Sequence, residues 1–485
     1  MDPPEKPQKT QESIELPVAP DGGYSWFILV SCFFVFGLTF GVVKSFGVFY
    51  VEIHQYFETT AAGTSWITSI TVATIHIAAP IASALSARFS HRSVVFMGGL
   101  ICSAAVGLGS LARNLTELYI TVGFLNGFGY ALTWTPTVTM LGMYFEKRRP
   151  MANALASAGE CILTFSLTPL FQLLIDSFSW RGALLILGGL QLHLCVCGML
   201  LRPLRTLRHA HKVREEEGSP LKKGLDETKL NFRVESELNI MEMSDQETIN
   251  VEVPDETSSL TKNSTRNPKS CKLRTGIQNY VDYTLITNGR FMVYSMFGVF
   301  AALGFFAPSL FLVPYARSKG IKEYQAAALM SISAVLDLFG RVFFGWVANL
   351  RLIKTVQQLT VTVILLGTVL LLCPLASTFS QLVAFSAAHG LVYGATVAIH
   401  ITVLPEIVGV EKLGSALGFF MLIRSSGGLL GPPIAGFFID KMDNYGTGFL
   451  MSGVALIVSA LFLLILHQMS RRDQGTVTAT NNDQK

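Results

Sequence analysis

The sequence is built from long apolar blocks. Residues 26–43 and 359–376, for example, are runs of roughly 18 residues without a charged side chain, close to the length that a helix needs to cross a bilayer. The composition agrees, because half of the 485 residues are hydrophobic and only 14% are charged, whereas a soluble domain is about 25% charged. These features argue against a water-soluble enzyme and predict an all-α membrane protein.

The hydropathy pattern predicts twelve membrane-spanning helices in two groups of six. Their predicted bounds are 24–50, 66–87, 93–112, 117–143, 150–174, 180–201, 289–315, 324–349, 354–375, 380–404, 413–438 and 445–468. The domains are then an N-terminal tail 1–23, a six-helix bundle 24–201, a linker 202–288, a second six-helix bundle 289–468 and a C-terminal tail 469–485. The linker is polar and poor in hydrophobic residues, so we predict that it is disordered.

Basic residues near the spans predict the orientation of the chain. One set of loops carries Arg88 and Arg92, then residues 147–149, the basic ends of the linker, and Arg471 with its neighbour Arg472. The opposite loops carry fewer Lys and Arg. Because Lys and Arg close to membrane helices stay in the cytoplasm, both termini and the linker are predicted to be cytoplasmic. The net charge of +4 is small, and we expect no nucleic-acid partner.

An internal repeat relates the two groups of spans. Residues 154–188 contain an Ala-Leu pair, a proline, an aspartate and a later glycine, and residues 416–453 repeat these features in the same order. Two six-helix units in the same orientation predict the major-facilitator fold, with a substrate site near the midplane between the halves.

Lys44 lies within the first predicted span, where charged residues are rare and usually functional. One alternative is that its side chain extends to the membrane interface. However, Gly37, Gly41 and Gly47 share its helix face, and small residues on one face mark close helix packing. We therefore expect Lys44 to face the cavity between the halves.

Asp337 and Arg341 are four residues apart in the eighth span and so lie on one helix face, with the acid first, as such pairs prefer. A structural ion pair that holds this span to a neighbour is the alternative. Both charges would be costly near the middle of a bilayer, and a transport site explains them better. Lys44, Asp337 and Arg341 are thus the predicted substrate and proton site.

Glu160 and Arg424 occupy nearly equivalent positions in the two repeats, on the fifth and eleventh spans. Each side chain could contact substrate, act as a gating charge, or pair with another buried group, and the residues alone do not separate these roles. Four histidines in or near the spans are interpreted as packing residues: His76, His193, His389 and His400.

Two segments resemble the signatures of the monocarboxylate transporter family. Asp21-Gly-Gly-Tyr-Ser-Trp26 is similar to the signature (D/E)-G-(G/S)-(W/F)-(G/A)-W, and residues 144–159 resemble the second signature, at the entry to the fifth span. The sequence departs from these patterns at Tyr24, Ser25 and Glu160, where the family usually has an aromatic Trp or Phe, a small Gly or Ala, and Ser or Asn. The extra carboxylate of Glu160 could repel a simple anion or attract an amine.

The resemblance implies further assignments. Residues 158–160 and 279–283 are most similar to the branch that contains monocarboxylate transporter 7. Lys44 and the Asp337–Arg341 pair match the positions that carry substrate and proton in proton-coupled members. The gating or signature residues would be Asp21, Arg88, Arg92, Lys147, Arg148 and Arg149, although Arg88 and Arg92 could serve only to anchor the topology. A location in the plasma membrane and a single-span ancillary glycoprotein are also implied, as for some relatives.

Charge supports proton-coupled transport of a small monocarboxylate such as lactate, pyruvate or a ketone body. Lys44, Asp337 and Arg341 sum to +1, so one anion with one proton returns the loaded site to the charge of the empty site. In this hypothesis the substrate takes Arg341 away from Asp337, which then binds a proton. The alternatives are an uncoupled facilitator of an amino acid, an amine or a sulfonate such as taurine, and a receptor without transport. No enzymatic motif, metal site or cofactor site is predicted.

Overall fold

The computed structural model describes residues 22–145, 148–202, 284–349, 354–400, 403–409 and 413–482. Within these ranges the regular structure is helical and contains no strand. The predicted N-terminal tail and linker lie, except for their edges, outside the described residues.

Six spans form the N-terminal half. α1 consists of four consecutive segments, the second of them a π-helical turn: Ser25–Phe36, Gly37–Gly41, Val42–Ser45 and Gly47–Tyr56. The next spans are α2, Ala61–Phe89; α3, His91–Gly109; and α4, made of Leu115–Leu118, the π-helical Tyr119–Leu125 and Asn126–Tyr144. The helix Arg149–Gln191 breaks at Ser179, which has a φ of 59°. We call the part before the break α5 and the part after it, with His193–Leu200, α6.

Six further spans form the C-terminal half. α7 follows a short helix at Thr284–Thr287 and has two segments, Gly289–Phe305 and Ala307–Ser318. The others are α8, Glu323–Asn349; α9, Thr355–Leu372, followed by the 3-10 turn Cys373–Leu375; α10, Phe379–His400; α11, Leu413–Met442; and α12, Gly446–Asn482. A short helix at Leu404–Val408 connects α10 to α11.

The predicted plan of twelve spans is confirmed. Nine helices of the described chain are long and apolar enough to cross a bilayer, and one of these, Met151–Leu200, contains both α5 and α6. α4 and α11 complete the set. The helices run past several predicted ends, with α1 reaching Tyr56 and α12 reaching Asn482, because hydropathy marks only the lipid-facing length and no proline stops either helix.

Three helix pairs make the most extensive contacts between the two halves in the described part of the chain. α5 packs against α8, α11 packs against α2, and the second segment of α7 packs against the last segment of α1. The α1–α7 contact is close at Gly47, where an added Cβ would lie 2.8 Å from the carbonyl oxygen of Ser309. The repeat-related helices α5 and α11 are therefore both placed at the interface between the halves, where the fold puts its substrate site.

Candidate functional site

Four charged side chains from three helices form a closed ring between the halves. Lys44 Nζ of α1 lies 2.7 Å from Glu160 Oε1 of α5 and 2.8 Å from Asp337 Oδ2 of α8. Arg341 Nη1 lies 3.0 Å from Glu160 Oε2, and its Nε and Nη2 donate to the two Asp337 carboxylate oxygens at 2.7 and 3.1 Å. We call these four residues the charge ring. Each charge contacts both residues of opposite sign.

The charge ring has a formal sum of zero, because Glu160 supplies a second carboxylate to the two cations. The charge of +1 in the sequence-based hypothesis omitted Glu160, which could not be placed beside Lys44 without the packing of α1 on α5. The ring is buried, and the Asp337 side chain is only 3% exposed. Buried charges persist in a protein when they are paired and hydrogen-bonded, and the ring meets both conditions.

Small and hydroxyl-bearing residues hold α1 against α5 at the ring. Thr164 Oγ1 donates a hydrogen bond of 3.4 Å to the carbonyl oxygen of Gly41, and the hydroxyls of Thr168 and Ser45 lie 3.0 Å apart. The glycine-bearing face of α1 thus packs on α5, as its small residues indicate, and Lys44 points into the protein. The structure thus places the Lys44 amine between the two halves, in contact with Glu160 and Asp337.

α10 supports the opposite side of the ring. An added Cβ at Gly394 would lie 2.2 Å from the carbonyl oxygen of Asp337, so only glycine permits this approach of α10 to α8. The preceding residue, Tyr393, places its ring 4.4 Å from Lys44 Nζ. A cation over an aromatic face is electrostatically favourable, and Tyr393 therefore helps to orient the lysine.

A small cavity adjoins the ring. Lys44 and Asp337 line one end of it, and Met330 and Ser333 extend its wall along α8 towards Glu323. The remaining lining is mostly apolar or aromatic and includes Phe305, Leu312, Phe385, His389 and Tyr393. An apolar space that ends in paired charges suits a small organic acid with a short carbon chain.

Polar residues also join the halves at the end of the bundle where α8 begins. Arg317 of α7 pairs with Glu52 of α1 at 3.1 Å and with Glu323 of α8. Gln172 Nε2 of α5 lies 3.4 Å from Glu323 Oε2. Asp440 of α11 accepts hydrogen bonds from the backbone N–H groups of residues 61 and 62, at 2.6 and 2.9 Å. We call Glu52, Gln172, Arg317, Glu323 and Asp440 the polar gate.

The sequence alone indicates no role for the residues of the polar gate. Its charges lie at span ends, where charged residues are ordinary. Polar contacts join the halves at the charge ring and at the polar gate. Between these two levels, the Ser331 hydroxyl of α8 donates a hydrogen bond of 3.0 Å to the Phe165 carbonyl of α5. The halves are thus joined at the polar-gate end.

Arg424 lies on α11, outside the charge ring. Its guanidinium carbon is 5.5 Å from the centroid of the Phe305 ring, and the Phe305 and Tyr393 rings are themselves in contact, with centroids 5.6 Å apart. In the described part of the chain no carboxylate forms an ion pair with Arg424. The repeat-related positions 160 and 424 therefore differ, since only Glu160 has ionic partners.

The predicted gating and signature residues that the structure describes lie away from this site. Arg88, Arg92 and Arg148 are exposed at helix ends, Arg149 begins α5, and Asp21 and Lys147 fall outside the described residues.

The two departures in the first signature make hydrogen bonds between helices. The Tyr24 hydroxyl donates to the Leu200 carbonyl at 2.7 Å, and the Ser25 hydroxyl to the Tyr144 carbonyl at 3.4 Å, so both act in packing.

The histidines behave mostly as packing residues. His76 Nδ1 lies 2.8 Å from the Val72 carbonyl, and His193 and His400 make the same kind of contact within their own helices. His389 Nδ1 lies 3.4 Å from the Ser333 hydroxyl. His400 differs from the other histidines in one respect. Its Nε2 is buried and has no hydrogen-bond partner among the described residues.

Comparisons with known proteins agree with this architecture. The model of the Major Facilitator Superfamily matches residues 29–367 and 357–482. A solved structure of the nucleoside transporter NupG superposes with a TM-score of 0.63 and 13% identity, and covers 92% of this chain and 100% of that chain. At this identity the likeness shows the fold. The chain is therefore a membrane transporter in class and is not an enzyme.

Several curated relatives are similar over nearly the whole chain. Monocarboxylate transporter 2 of Mesocricetus auratus is 34% identical over 96% of this chain and 88% of its own length. Monocarboxylate transporter 12 of Xenopus laevis is 35% identical over 98% and 96%, and human monocarboxylate transporter 7 is 35% identical over 92% and 87%. The chain belongs to the monocarboxylate transporter family of the major facilitator superfamily.

Proposed function

We propose that this protein carries small monocarboxylates together with protons across the plasma membrane by alternating access. The observation that carries the proposal is the buried charge ring, which spans the two halves beside an apolar cavity. The names of the relatives support a monocarboxylate as the substrate.

The charge of the ring supports proton coupling. Because its sum is zero, a proton on Asp337 or Glu160 leaves the two cations with a single ionised carboxylate and gives the ring a net charge of +1. This excess positive charge then attracts an anion, and the loaded ring returns to zero. Moving a lone anion into a cell with a negative interior costs about 2.3 kcal/mol per 100 mV, and the accompanying proton removes this electrical cost. Lys44, Asp337 and Arg341 are thus the proposed coupling residues, with Glu160 as a fourth member.

The position of the polar gate supports an assignment of the side of the membrane to which the structure is closed. If the basic loops are cytoplasmic, as the distribution of Lys and Arg predicts, the polar gate is extracellular and the structure is closed to the outside. Both termini are then cytoplasmic, and Arg88, Arg92 and the residues 147–149 lie on the inner side, where they could latch the opposite state. A single-span glycoprotein would assist delivery to the cell surface.

An uptake panel in cells that express the full chain tests the proposal. Lactate, pyruvate, 3-hydroxybutyrate, neutral amino acids and taurine are each supplied at two external pH values, and surface protein is quantified. We expect uptake of at least one of the three acids, faster at the lower pH. Asp337→Asn should abolish accumulation driven by the pH gradient.

Asp443→Asn is the matched control. Asp443 is exposed in the turn between α11 and α12 with a φ of 49°, a conformation that asparagine tolerates, and its substitution should leave uptake unchanged. If Asp337→Asn retained full pH-dependent, uphill uptake at normal surface levels, the coupling role would be wrong.

The neutral charge ring also favours a second candidate. A site whose charges already compensate one another could carry a zwitterion, such as an amino acid or taurine, without a proton. The same panel separates the two functions, because an uncoupled facilitator would move taurine or an amino acid at equal rates at both pH values and would not accumulate it against a gradient.

A further inference from the structure

The cavity beside the charge ring has hydroxyl groups whose protons are already in use. Thr164 and Ser309 line it, but their hydroxyls donate to carbonyl oxygens one turn back on their own helices, those of Glu160 at 2.7 Å and Phe306 at 3.1 Å. The charges of the ring recognise a carboxylate, which every monocarboxylate has. A group that distinguishes one acid from another therefore has to lie elsewhere on the cavity wall.

His389 of α10 and Ser333 of α8 form a polar pair on this wall. Nδ1 of His389 lies 3.4 Å from the Ser333 hydroxyl oxygen, and both residues line the cavity. The second ring nitrogen, Nε2, has no hydrogen-bond partner in the part of the chain that the structure describes. The residue is only 8% exposed, and a polar atom that stays unpaired in such surroundings is costly. A ligand in the cavity can supply the missing partner.

Packing fixes the orientation of the His389 ring. The ring lies between those of Phe385 and Tyr393 on the same helix, with centroid distances of 5.7 and 5.8 Å and interplanar angles of 22° and 31°. At the next residue, a Cβ added to Gly390 would lie 2.1 Å from the Ser333 carbonyl oxygen, so α10 meets α8 here with no room for a side chain. The pair is thus held in place before a ligand binds, which lowers the entropic cost of binding.

The pair lies one helical turn from the charges on both helices. Ser333 precedes Asp337 by four residues on α8. His389 precedes Tyr393 by four residues on α10, and the Tyr393 ring lies 4.4 Å from Lys44 Nζ. Four residues of helix rise about 6 Å. An acid whose carboxylate is at the charge ring therefore has its short carbon chain beside the pair, with a hydroxyl on that chain in reach of the imidazole.

We propose that His389, oriented by Ser333, binds the hydroxyl group of the substrate and makes the carrier selective for hydroxy acids over unsubstituted acids of the same length. The inference rests on the proposed function, because it requires a monocarboxylate whose carboxylate is at the charge ring. A neutral imidazole has one donor and one acceptor nitrogen, and a hydroxyl both donates and accepts, so it can pair with Nε2 in either tautomer. An acid without the hydroxyl leaves Nε2 unpaired, and sites of this kind reject such analogues.

Exchange of radiolabelled 3-hydroxybutyrate by the purified full chain in proteoliposomes, at equal pH on both sides, tests the proposal. Unlabelled 3-hydroxybutyrate and butyrate compete with it, and then lactate and propionate, so that each pair differs by one hydroxyl. The wild type should bind the hydroxy acid of each pair more tightly. For His389→Phe, which keeps an aromatic ring in the stack, we expect this preference to fall roughly 3- to 10-fold, the range for one neutral hydrogen bond.

Three further variants separate the hydrogen bond from packing. His389→Gln should recover part of the preference, because its amide again supplies a donor and an acceptor. Ser333→Ala should lower the preference by a smaller factor than His389→Phe, since it removes only the group that orients the imidazole. His193→Phe is the matched control and should keep the wild-type preference, because His193 is exposed on α6 and contacts a carbonyl of its own helix.

A packing role for His389 would change the inhibition constants of both acids of a pair by the same factor and leave their ratio intact. The inference is overturned if His389→Phe keeps the wild-type ratio, or if the wild type exchanges these acids without preferring the hydroxy acids. Exchange without that preference rejects this inference alone. If the wild type exchanges none of the monocarboxylates, the proposed function fails and this inference fails with it.

Discussion

The charge ring and the polar gate both join the two halves through ionised groups, yet they differ in burial and connectivity. The side chains of the ring are between 3% and 16% exposed, and each contacts two groups of opposite charge. Those of the Arg317 cluster in the gate are between 22% and 42% exposed. In the gate a single arginine, Arg317, forms ion pairs with two carboxylates, those of Glu52 and Glu323.

This difference matches what each region has to do. An exposed ion pair contributes at most about 1 kcal/mol, so the polar gate can open and close at small free-energy cost. A buried charge that loses its partner costs several kcal/mol, so the members of the ring can change only together with a compensating proton or anion.

The largest effect should follow from the loss of one ring charge. Arg341→Gln leaves Asp337 and Glu160 with only Lys44 as a cation, and we expect destabilisation of about 3–5 kcal/mol together with loss of transport. Thermal unfolding in detergent measures the first and proteoliposome uptake the second. A melting temperature equal to that of the wild type would mean that the ring is not buried in the way described.

A charge-balanced double substitution should have a smaller effect. Lys44→Gln combined with Glu160→Gln removes one cation and one anion and leaves the Asp337–Arg341 pair intact. We expect the double variant to be more stable than the sum of the two single variants by about 0.5–3 kcal/mol, the range for directly interacting residues. Strict additivity of the two single effects would contradict the closed ring.

In the polar gate, Arg317→Gln should change stability by no more than about 1 kcal/mol but should favour opening. A cysteine introduced at Ser333, which lines the cavity, should react faster with a membrane-impermeant maleimide in this background. Lys319→Gln is the control, because Lys319 is an exposed cation two residues later, at the end of the same helix. Equal labelling rates in the two backgrounds would show that Arg317 does not hold the gate closed.

The smallest effect is expected for Asp440→Asn. The asparagine side chain keeps one acceptor oxygen and can still accept from one of the two N–H groups at the start of α2, so the change should cost about 0.5 kcal/mol, while Asp440→Ala, which removes both bonds, should cost about 1 kcal/mol. Thermal unfolding of the two variants side by side measures the difference. A larger loss in the asparagine variant than in the alanine variant would exclude the capping role.

Much of the fold is predictable from the sequence because it depends on local patterns. Apolar run length predicted the twelve spans, and the four-residue spacing of Asp337 and Arg341 predicted their pairing, which is observed at 2.7 Å. Both inferences need only the geometry of one helix. The packed face of α1 was predictable for the same reason, from the spacing of its small residues.

Contacts between distant helices were not predictable in this way. Glu160 could be placed on a face of α5, but its position between Lys44 and Arg341 depends on how three helices meet. The polar gate was missed because Arg317 and Glu323 resemble ordinary loop charges until the halves are assembled. The same holds for Arg424, whose lack of an ionic partner becomes visible only when its neighbours in space are known.

The composition of the ring has a consequence for the movement of the two halves. Lys44 and Glu160 belong to the N-terminal half, and Asp337 and Arg341 belong to the C-terminal half. Each half therefore contains one cation and one anion that already contact each other, at 2.7 Å in both cases. When the halves separate at this level, the ring divides into two ion pairs that are each neutral. The ring itself therefore leaves no unbalanced charge in either half.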